Sequence, residues 1–528
     1  MDITTIYAVA AGALLAFFVL VELISSFFRL MKSRMLQFIH TCARFICKEL
    51  TYPYFIGRHH LLGPWTRASV MLHILYIGIN LFALTFHVRS VADAGYRAGR
   101  LSLINMVVLF AGAPLSTLAD LLGISLRSCR RIHRACSWMA GSLLIIHTMV
   151  KMASEHRSFP LQHIDNLLAI IGAGVFGAIL IASLPYIRRE VYEIFLIAHQ
   201  GLALFLLCAI WYHLPSSTLR SPRLLILIMA GVRFTTFLLQ VLRMMYQNGL
   251  LPSRRSPRIL VSHAPTGGKI NSSEIMVRVV LSRPLKVLPG QYIYLWIPSV
   301  TLFSWAQSHP FMVTSWSPKE QDTLELFVKP RRGLSQSLAY HAAEAGWGHS
   351  SLSGFISGPY GPSEPVHRYK NILIVATDVG IAAALPYLRM LINSSKAWPA
   401  RTHRLHFVWQ LDTLDSAGAA EYMLNDLLKN DGEHYVLAIS LYVESKDTAE
   451  ELGHHKRALV GHGKPDYREI IRLETSGNQL TGIDSASDDP GESLVMVSAS
   501  GEVRDEIRSI VRDYLDHHVR MLELEFQP

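Results

Sequence analysis

Residues 130–147 read RRIHRACSWMAGSLLIIH and residues 192–213 read YEIFLIAHQGLALFLLCAIWYH. His133 and His147 stand in the first with thirteen residues between them, and His199 and His213 stand in the second at the same separation. Fourteen positions of α-helix are close to four whole turns and rise about 21 Å, so both histidines of a pair face the same way. One further apolar stretch lies between the two segments, so the helices run in the same direction. His133 is then level with His199, and His147 with His213. Two imidazoles facing each other at one depth can ligate a haem iron from both sides, and the pattern predicts two stacked haems. Interfacial histidines that only hydrogen-bond at helix ends are the plain alternative, and His73 and His87 on an earlier apolar stretch fit it. Two pairs of identical spacing favour ligation, because ionisable groups inside a membrane are costly and usually functional. A metal relay could use the same geometry.

Outward from these helices, windows of about 19 residues find seven stretches able to cross ~30 Å of hydrocarbon. They are Ile3–Phe28, Ala68–His87, Leu101–Ala119, Ile132–Val150, Asn166–Ile187, Ile194–Leu214 and Leu224–Leu242. Composition agrees: half of the 528 residues are hydrophobic and only 17% are charged, against roughly a quarter in soluble proteins. Disorder, collagen and a disulfide scaffold are excluded by the same figures. The net charge of +10 sits mostly in short clusters between apolar runs, which suits a membrane face and not nucleic acid. Cys42, Cys47, Cys129, Cys136 and Cys208 lie at no metal-ligand spacing, and the rest of the chain is free of cysteine. The first stretch follows Asp2 with no basic region before it and is too long for a signal peptide, so it reads as a retained anchor. Lys32, Arg34, Arg44, Lys48, Arg58 and Arg67 follow it. Alternate loops carry Arg127, Arg130 and Arg131, then Arg188 and Arg189, then Arg254, Arg255 and Arg258. The intervening loops are less basic, with Arg89, Arg97 and Arg100, then Lys151 and Arg157, then Arg220 and Arg223. This asymmetry places the N-terminus outside and everything after Leu242 in the cytosol.

Beyond about Pro252 the pattern changes to short β-rich runs, Ile275–Leu281, Gln291–Ile297 and Leu324–Val328 among them, which read as barrel strands. From Asn371 a buried-type strand (NILIVA), a helical pattern, a second buried strand (LHFVWQL) and a helix from about Ala419 to Leu428 alternate. That alternation predicts a doubly wound nucleotide-binding domain. The small, polar residues 476–493 read as a surface loop.

The chain resembles the ferric reductases and NADPH oxidases, most of all the fungal-type ferric-chelate reductases, from about residue 68 onward. The two histidine segments look like that family's haem helices. His309-Pro310-Phe311-Met312-Val313-Thr314-Ser315, after a PGQYIYLWIP strand, resembles its flavin-binding segment; Met312 stands where a hydroxyl residue is usual, and Thr314 or Ser315 is the substitute donor. Lys329, Arg331, Gly333, Leu334 and Ser335 resemble its FAD pyrophosphate site, where a glycine turn and helix N-terminus present N–H groups to phosphate. A solvated basic loop is the bland alternative. Gly358-Pro359-Tyr360-Gly361 resembles the signature before the nicotinamide domain. At Thr377-Asp378-Val379-Gly380-Ile381 only Gly380 keeps the glycine of the family's run, and Asp378 adds a negative charge near a pyrophosphate unless it caps the helix. In SLVMVSASGEVRDEIR, Ser498 or Ser500 takes the place of the family's Cys-Gly-Pro thiol beside the nicotinamide, and Phe526 either stacks on the flavin or packs as part of a C-terminal strand.

The resemblance implies an α-helical transmembrane haem bundle of about seven spans (1–250), a cytosolic antiparallel β-barrel FAD domain (255–366), and a ferredoxin reductase-like α/β NADP-binding domain (367–528). It implies FAD, NADPH and two b-type haems as cofactors, and His133, His147, His199 and His213 as iron ligands. Cofactor-binding residues would be His309, Pro310, Phe311, Thr314, Ser315, Lys329, Arg331, Gly333, Ser335, Gly358, Gly361, Thr377 and Gly380; Ser498, Ser500 and Phe526 would face the reacting rings. The implied activity is electron transfer across the plasma membrane from cytosolic NADPH to ferric chelates or cupric ion, with an iron-uptake permease or oxidase as partner and no nucleic acid. A superoxide-producing NADPH oxidase and a degenerate, non-enzymatic relative are the competing readings.

Overall fold

The structure is a computed structural model that describes residues 2–28, 34–59, 63–112, 115–154, 162–214, 222–250, 256–263, 274–300, 304, 308–331, 333–346, 348–397, 404–412, 414–432, 436–444, 458–476 and 492–526. Most of the loop expected over 476–493 lies outside these residues, as do Lys32, Arg157, Arg220, Arg254 and Arg255 of the orientation reading. The chain forms two compact units, Met1–Gln240 and Val241–Pro528.

The first unit is helical: α1 (Ile3–Phe28), α2 (Arg34–Ile46), α3 (Arg67–Thr85), α4 (Val91–Ala111), α5 (Leu115–Leu121), α6 (Leu126–Ser154), α7 (Ile164–Ala182), α8 (Pro185–Glu190), α9 (Tyr192–His213) and α10 (Pro222–Gln247), with a short hairpin of β1 (Tyr54–Ile56) and β2 (Trp65–Thr66) before α3. Five of the seven expected stretches fall mainly on one helix each, whereas Leu101–Ala119 runs over α4 and α5 and Asn166–Ile187 over α7 and α8. Four of them, α3, α6, α9 and α10, are long and apolar enough to cross a membrane among the described residues. The bent pair α4 and α5 makes a fifth if counted as one span. Apolar side chains on these helices stay open to the surroundings: Leu72, Ile74, Ile145, Met149, Leu204 and Phe234 are 60–66% exposed. An apolar exterior of this kind suits lipid.

The bundle interior carries polar groups that satisfy one another. Tyr7 of α1 donates to Asn80 Oδ1 of α3 at 3.1 Å, and Asn105 of α4 donates to the same oxygen at 2.9 Å. Tyr76 donates to Asn105 Oδ1. Unpaired amides are expensive in hydrocarbon, so this network fixes the register of three helices at once. It also binds α1 into the bundle, together with an ion pair between Asp2 and Arg100.

In the second unit, β3 (Arg258–His263), β4 (Ile275–Leu285), β5 (Tyr292–Trp296), β6 (His309–Met312), β7 (Gln321–Val328), β8 (Ser350–Ser353) and β9 (Phe355–Tyr360) are antiparallel, with α11 (Leu334–Glu344) between β7 and β8. They form a four-stranded sheet in the order β7-β4-β3-β8 and a three-stranded sheet in the order β6-β5-β9. Both sheets close on one core of Ile259, Val277, Ile293, Leu295, Leu324 and Leu326, with Leu338 and Ala342 of α11. Alternation along the strands places these residues inward.

The remainder is an all-parallel sheet of six strands in the order β13-β12-β11-β10-β14-β15. Its elements are β10 (Asn371–Thr377), α12 (Ile381–Ala397), β11 (Arg404–Leu411), α13 (Leu414–Asp431), β12 (Leu437–Val443), β13 (Ala458–His462), α14 (Tyr467–Ser476), β14 (Ser493–Ser498), α15 (Gly501–Asp513) and β15 (Val519–Glu523). The order runs outward on one side of β10 through β11 to β13, and on the other through β14 and β15. The switch point therefore lies between β10 and β14, and ligands of such sheets sit beyond the strand C-termini at that point.

Candidate electron-transfer site

The histidines of α6 and α9 meet as pairs. The His133 and His199 rings have centroids 6.3 Å apart and planes at 55°, and the His147 and His213 rings have centroids 6.5 Å apart at 73°. A metal–imidazole bond is about 2.0–2.1 Å and a ring nitrogen lies about 1.2 Å from its centroid, so two imidazoles on opposite sides of one metal have centroids about 6.4 Å apart. Both pairs meet that requirement. Among the described residues, the Nδ1 atoms of His133 and His199 are buried and without a hydrogen-bond partner. An apolar cavity of about 170 Å³ beside His199 is lined by Phe195, Ala198 and Leu202 of α9 and by Ile179 of α7. His73, by contrast, bonds Ser69 O at 2.7 Å and packs on Trp65, as a purely structural histidine does.

The flavin-segment residues lie on and after β6. Met312 is buried, and Thr314 Oγ1 donates to Glu325 O at 2.9 Å. Ser315 Oγ accepts from Glu325 N at 3.1 Å. The proton of Thr314 is thus committed within the sheet, whereas Ser315 keeps its own for another acceptor. His309, Pro310 and Phe311 are half-buried. Gly333 precedes α11 with φ +79°, where glycine carries no penalty. The α11 N-terminus has the exposed cations Lys329 and Arg331 beside it, and Ser335 Oγ accepts from Arg331 N at 2.9 Å, which shapes this loop. A helix N-terminus with flanking cations suits a pyrophosphate. Gly358 and Gly361 have φ +135° and +102°. A Cβ on Gly361 would stand 3.2 Å from the Tyr292 ring. Tyr292, Tyr294 and Tyr360 form an aromatic cluster with centroids 5.8–6.0 Å apart. Residues 243–248 hold the β9 strand: Asn248 Nδ2 donates to Ile356 O and Ile356 N donates to Asn248 Oδ1, both at 2.8 Å.

At the switch point, Thr377 Oγ1 accepts from Ser500 N at 2.8 Å, joining the ends of β10 and β14. Gly380 is required by contact, since a Cβ there would lie 1.8 Å from Ser498 O. Ser498 is fully buried and donates to Gly380 O at 2.7 Å. Ser500 is exposed, and its Oγ accepts from Val503 N at the start of α15. Asp378 adopts a left-handed φ of +43°, which Asp and Asn tolerate better than most residues. Its carbonyl accepts from Trp409 Nε1 at 2.9 Å. Its carboxyl is pushed above the ordinary value by burial and then by the Asp412 carboxylate, while Lys329 pulls it back. The backbone of Asp412 hydrogen-bonds that carboxylate. Phe526 is half-buried just past Leu524, whose N–H bonds Val497 O at 2.8 Å.

Two features have no precedent in the sequence reading. Arg389 of α12 donates to Thr314 O at 3.0 Å and lies 3.5 Å from Asp426 of α13, with Glu325 at 3.8 Å, so one guanidinium joins the antiparallel and parallel sheets. Gly95 and Gly99 of α4 lie against His147 and the turn after it. Their G-x-x-x-G spacing was the available signal for the second feature.

A helical, membrane-type unit with opposed histidine pairs is thus followed by an antiparallel two-sheet unit and a parallel, doubly wound sheet. Three family models match the chain: the ferric reductase like transmembrane component over 98–210, an FAD-binding domain over 269–364, and the ferric reductase NAD binding domain over 369–518. The chain belongs to the ferric reductase family. Ferric reduction oxidase 4 of Arabidopsis thaliana is 23% identical over 363 residues, which cover 63% of this chain and 48% of that protein. Ferric reductase transmembrane component 6 of Saccharomyces cerevisiae is 22% identical over 483 residues, covering 86% and 63%. The chain thus spans from about half to under two thirds of these relatives' length. A ferredoxin NADP+ reductase from Neisseria gonorrhoeae with bound FAD and NADP is similar over 51% of this chain and 98% of that one, at 15% identity and a TM-score of 0.34.

Proposed function

We propose that this chain is a multi-pass plasma-membrane reductase that passes electrons from cytosolic NADPH to ferric chelates or cupric ion on the opposite face. The observation that carries the reading is the pair of opposed histidine couples, 6.3 and 6.5 Å between centroids, on one helix pair. In this reading residues 1–250 hold two b-type haems, His133 and His199 the inner one and His147 and His213 the outer. Residues 255–366, a barrel-like domain, hold FAD through the His309–Ser315 segment and the α11 N-terminus. Residues 367–528 hold the nucleotide at the switch point, with Thr377 and Gly380 under the pyrophosphate and Ser500 the exposed hydroxyl nearest the nicotinamide. When bound, FAD converts the two-electron hydride of the nicotinamide into the single electrons that haem iron accepts. Held by His133 and His199 or by His147 and His213, a haem would offer no open position to dioxygen, which favours metal complexes as the acceptor.

Dithionite-reduced difference spectra of the purified chain, with haem counted per chain, test this directly. Two low-spin haems are expected, falling to one in His147→Ala, while NADPH still reduces the flavin. A His147→Ala protein that keeps two haems would mean that the pairing is wrong. Metal-dependent NADPH oxidation without superoxide separates the reductase from an oxidase.

A further inference from the structure

The two histidine pairs are held differently. His147 Nδ1 lies 2.8 Å from Gly95 O of α4; a carbonyl can only accept, so Nδ1 carries the proton and Nε2 is the ring's remaining electron pair. In the other pair, the Nδ1 atoms of His133 and His199 are buried with no such acceptor among the described residues. The contact exists because α4 approaches α6 along two glycines one turn apart. A Cβ on Gly95 would stand 2.5 Å from Val150 Cγ1, and a Cβ on Gly99 would stand 2.8 Å from His147 Nδ1 itself. Any larger residue at either position therefore pushes α4 and the imidazole apart.

We propose that Gly95 and Gly99 are positioning residues for His147, and that the Gly95 carbonyl makes the His147–His213 centre the lower-potential of the two. This rests on the reading of the pairs as haem ligands. The physical chain is short. An imidazole that donates its outer N–H to a carbonyl is locked in one tautomer and becomes a more basic ligand. A more basic ligand favours ferric over ferrous iron, which lowers the midpoint. The pair lacking that acceptor has no such bias. The centre nearest the external acceptor is then the stronger reductant, which suits reduction of a chelated, hard-to-reduce cation.

The experiment is an anaerobic spectroscopic redox titration of the full chain, with haem counted per chain in every sample. The wild type should show two one-electron midpoints, and His147→Ala should lose the lower one, which assigns it. Gly99→Ala should raise only the lower midpoint, by at least tenfold in the oxidised-to-reduced ratio at fixed potential, about 59 mV for one electron. Gly95→Ala should do the same. The double change Gly95→Ala with Val150→Ala removes the clash and should return the midpoint to the wild-type value, which a general packing defect would not do. If Gly99→Ala sheds a haem, the Gly95 and Val150 variants carry the decision. Two haems with unmoved midpoints in Gly95→Ala, or loss of the higher midpoint in His147→Ala, would overturn this inference alone. A wild-type chain that binds no haem would overturn the underlying reading.

Discussion

Side chains at the nucleotide edge show how local charge sets expectations. Asp378 binds its proton more tightly in the folded chain than in the unfolded one, because burial and Asp412 disfavour its charge. Its effect on stability is therefore absent at low pH and becomes unfavourable as pH rises from the ordinary 3.8 through the raised value. Asp378→Asn keeps the left-handed backbone and removes the charge, so it should melt higher than wild type at pH 7 but not at pH 3.5. Equal melting shifts at both values would show that the carboxylate is not the source. One strand further out, Asp412 and Glu444 are exposed at the ends of β11 and β12, and Gln410 Nε2 holds Glu444 Oε1 at 3.2 Å. Carboxylates at such ends bond ribose hydroxyls, whereas cations hold a 2′-phosphate. Glu444→Arg should raise the preference for NADPH over NADH about tenfold, or about 1.4 kcal/mol, measured as a ratio of kcat/KM. An unmoved ratio would place the ribose elsewhere. The pairing of His133 with His199 and of His147 with His213 was legible because helical periodicity converts spacing directly into facing. The commitment of the Ser498 hydroxyl to Gly380 was not, since it depends on a contact between β14 and the turn after β10 that no local pattern encodes.

At the scale of elements, apolar length located the long helices of the first unit but not α2, nor the breaks before α5 and α8, nor the helix ends. The stretch expected at Leu101–Ala119 is α4 from Val91 to Ala111 and then α5 from Leu115. Hydropathy misses the first turns because they are polar: Ser90 Oγ accepts from Asp93 N at 3.1 Å, and Arg97 donates to His87 O at 3.1 Å and to Asp93 at 3.3 Å. Gly112 ends the helix two residues before Pro114, where a continued helix is disfavoured. The alternating strands fixed the two kinds of sheet in the second unit. What they could not supply was the joint between the sheets, to which Arg389 of α12 contributes. Removing Arg389 strips Thr314 O and Glu325 of a largely buried charged donor, a loss of about 1–3 kcal/mol. Arg389→Ala should retain FAD but reduce it from the nicotinamide about tenfold more slowly, because hydride transfer requires the two sheets at a fixed separation. Arg389→Lys should recover only part of the rate, since an ammonium lacks the planar fork. A normal flavin-reduction rate in Arg389→Ala would show that the joint is held elsewhere.

For the whole molecule, the decisive quantity is the parity of membrane crossings. The composition, with half its residues hydrophobic and few charged, declares a membrane protein, and the described helices supply four crossings, or five with the bent pair. The count of seven adds α1 and α7, whose apolar stretches Ile3–Leu14 and Asn166–Ala182 are shorter. α1 packs on the bundle by contact: Tyr7 is buried and bonded to Asn80, and Asp2 pairs with Arg100. With seven crossings, the segments carrying Arg127, Arg130 and Arg131, Arg188 and Arg189, and Arg258 fall on one face, as the proposed orientation requires. Seven crossings put the two termini on opposite faces; six put them on one. Epitope tags at the N- and C-termini of the full chain, probed in sealed cells before and after permeabilisation, should read outside and inside respectively. Both tags inside would remove one crossing and place His147 and His213 on a helix pair whose preceding spans have been miscounted. In that case Tyr7→Phe should also leave thermal stability unchanged, whereas an α1 seated in the bundle predicts a loss of about 1 kcal/mol for that hydrogen bond.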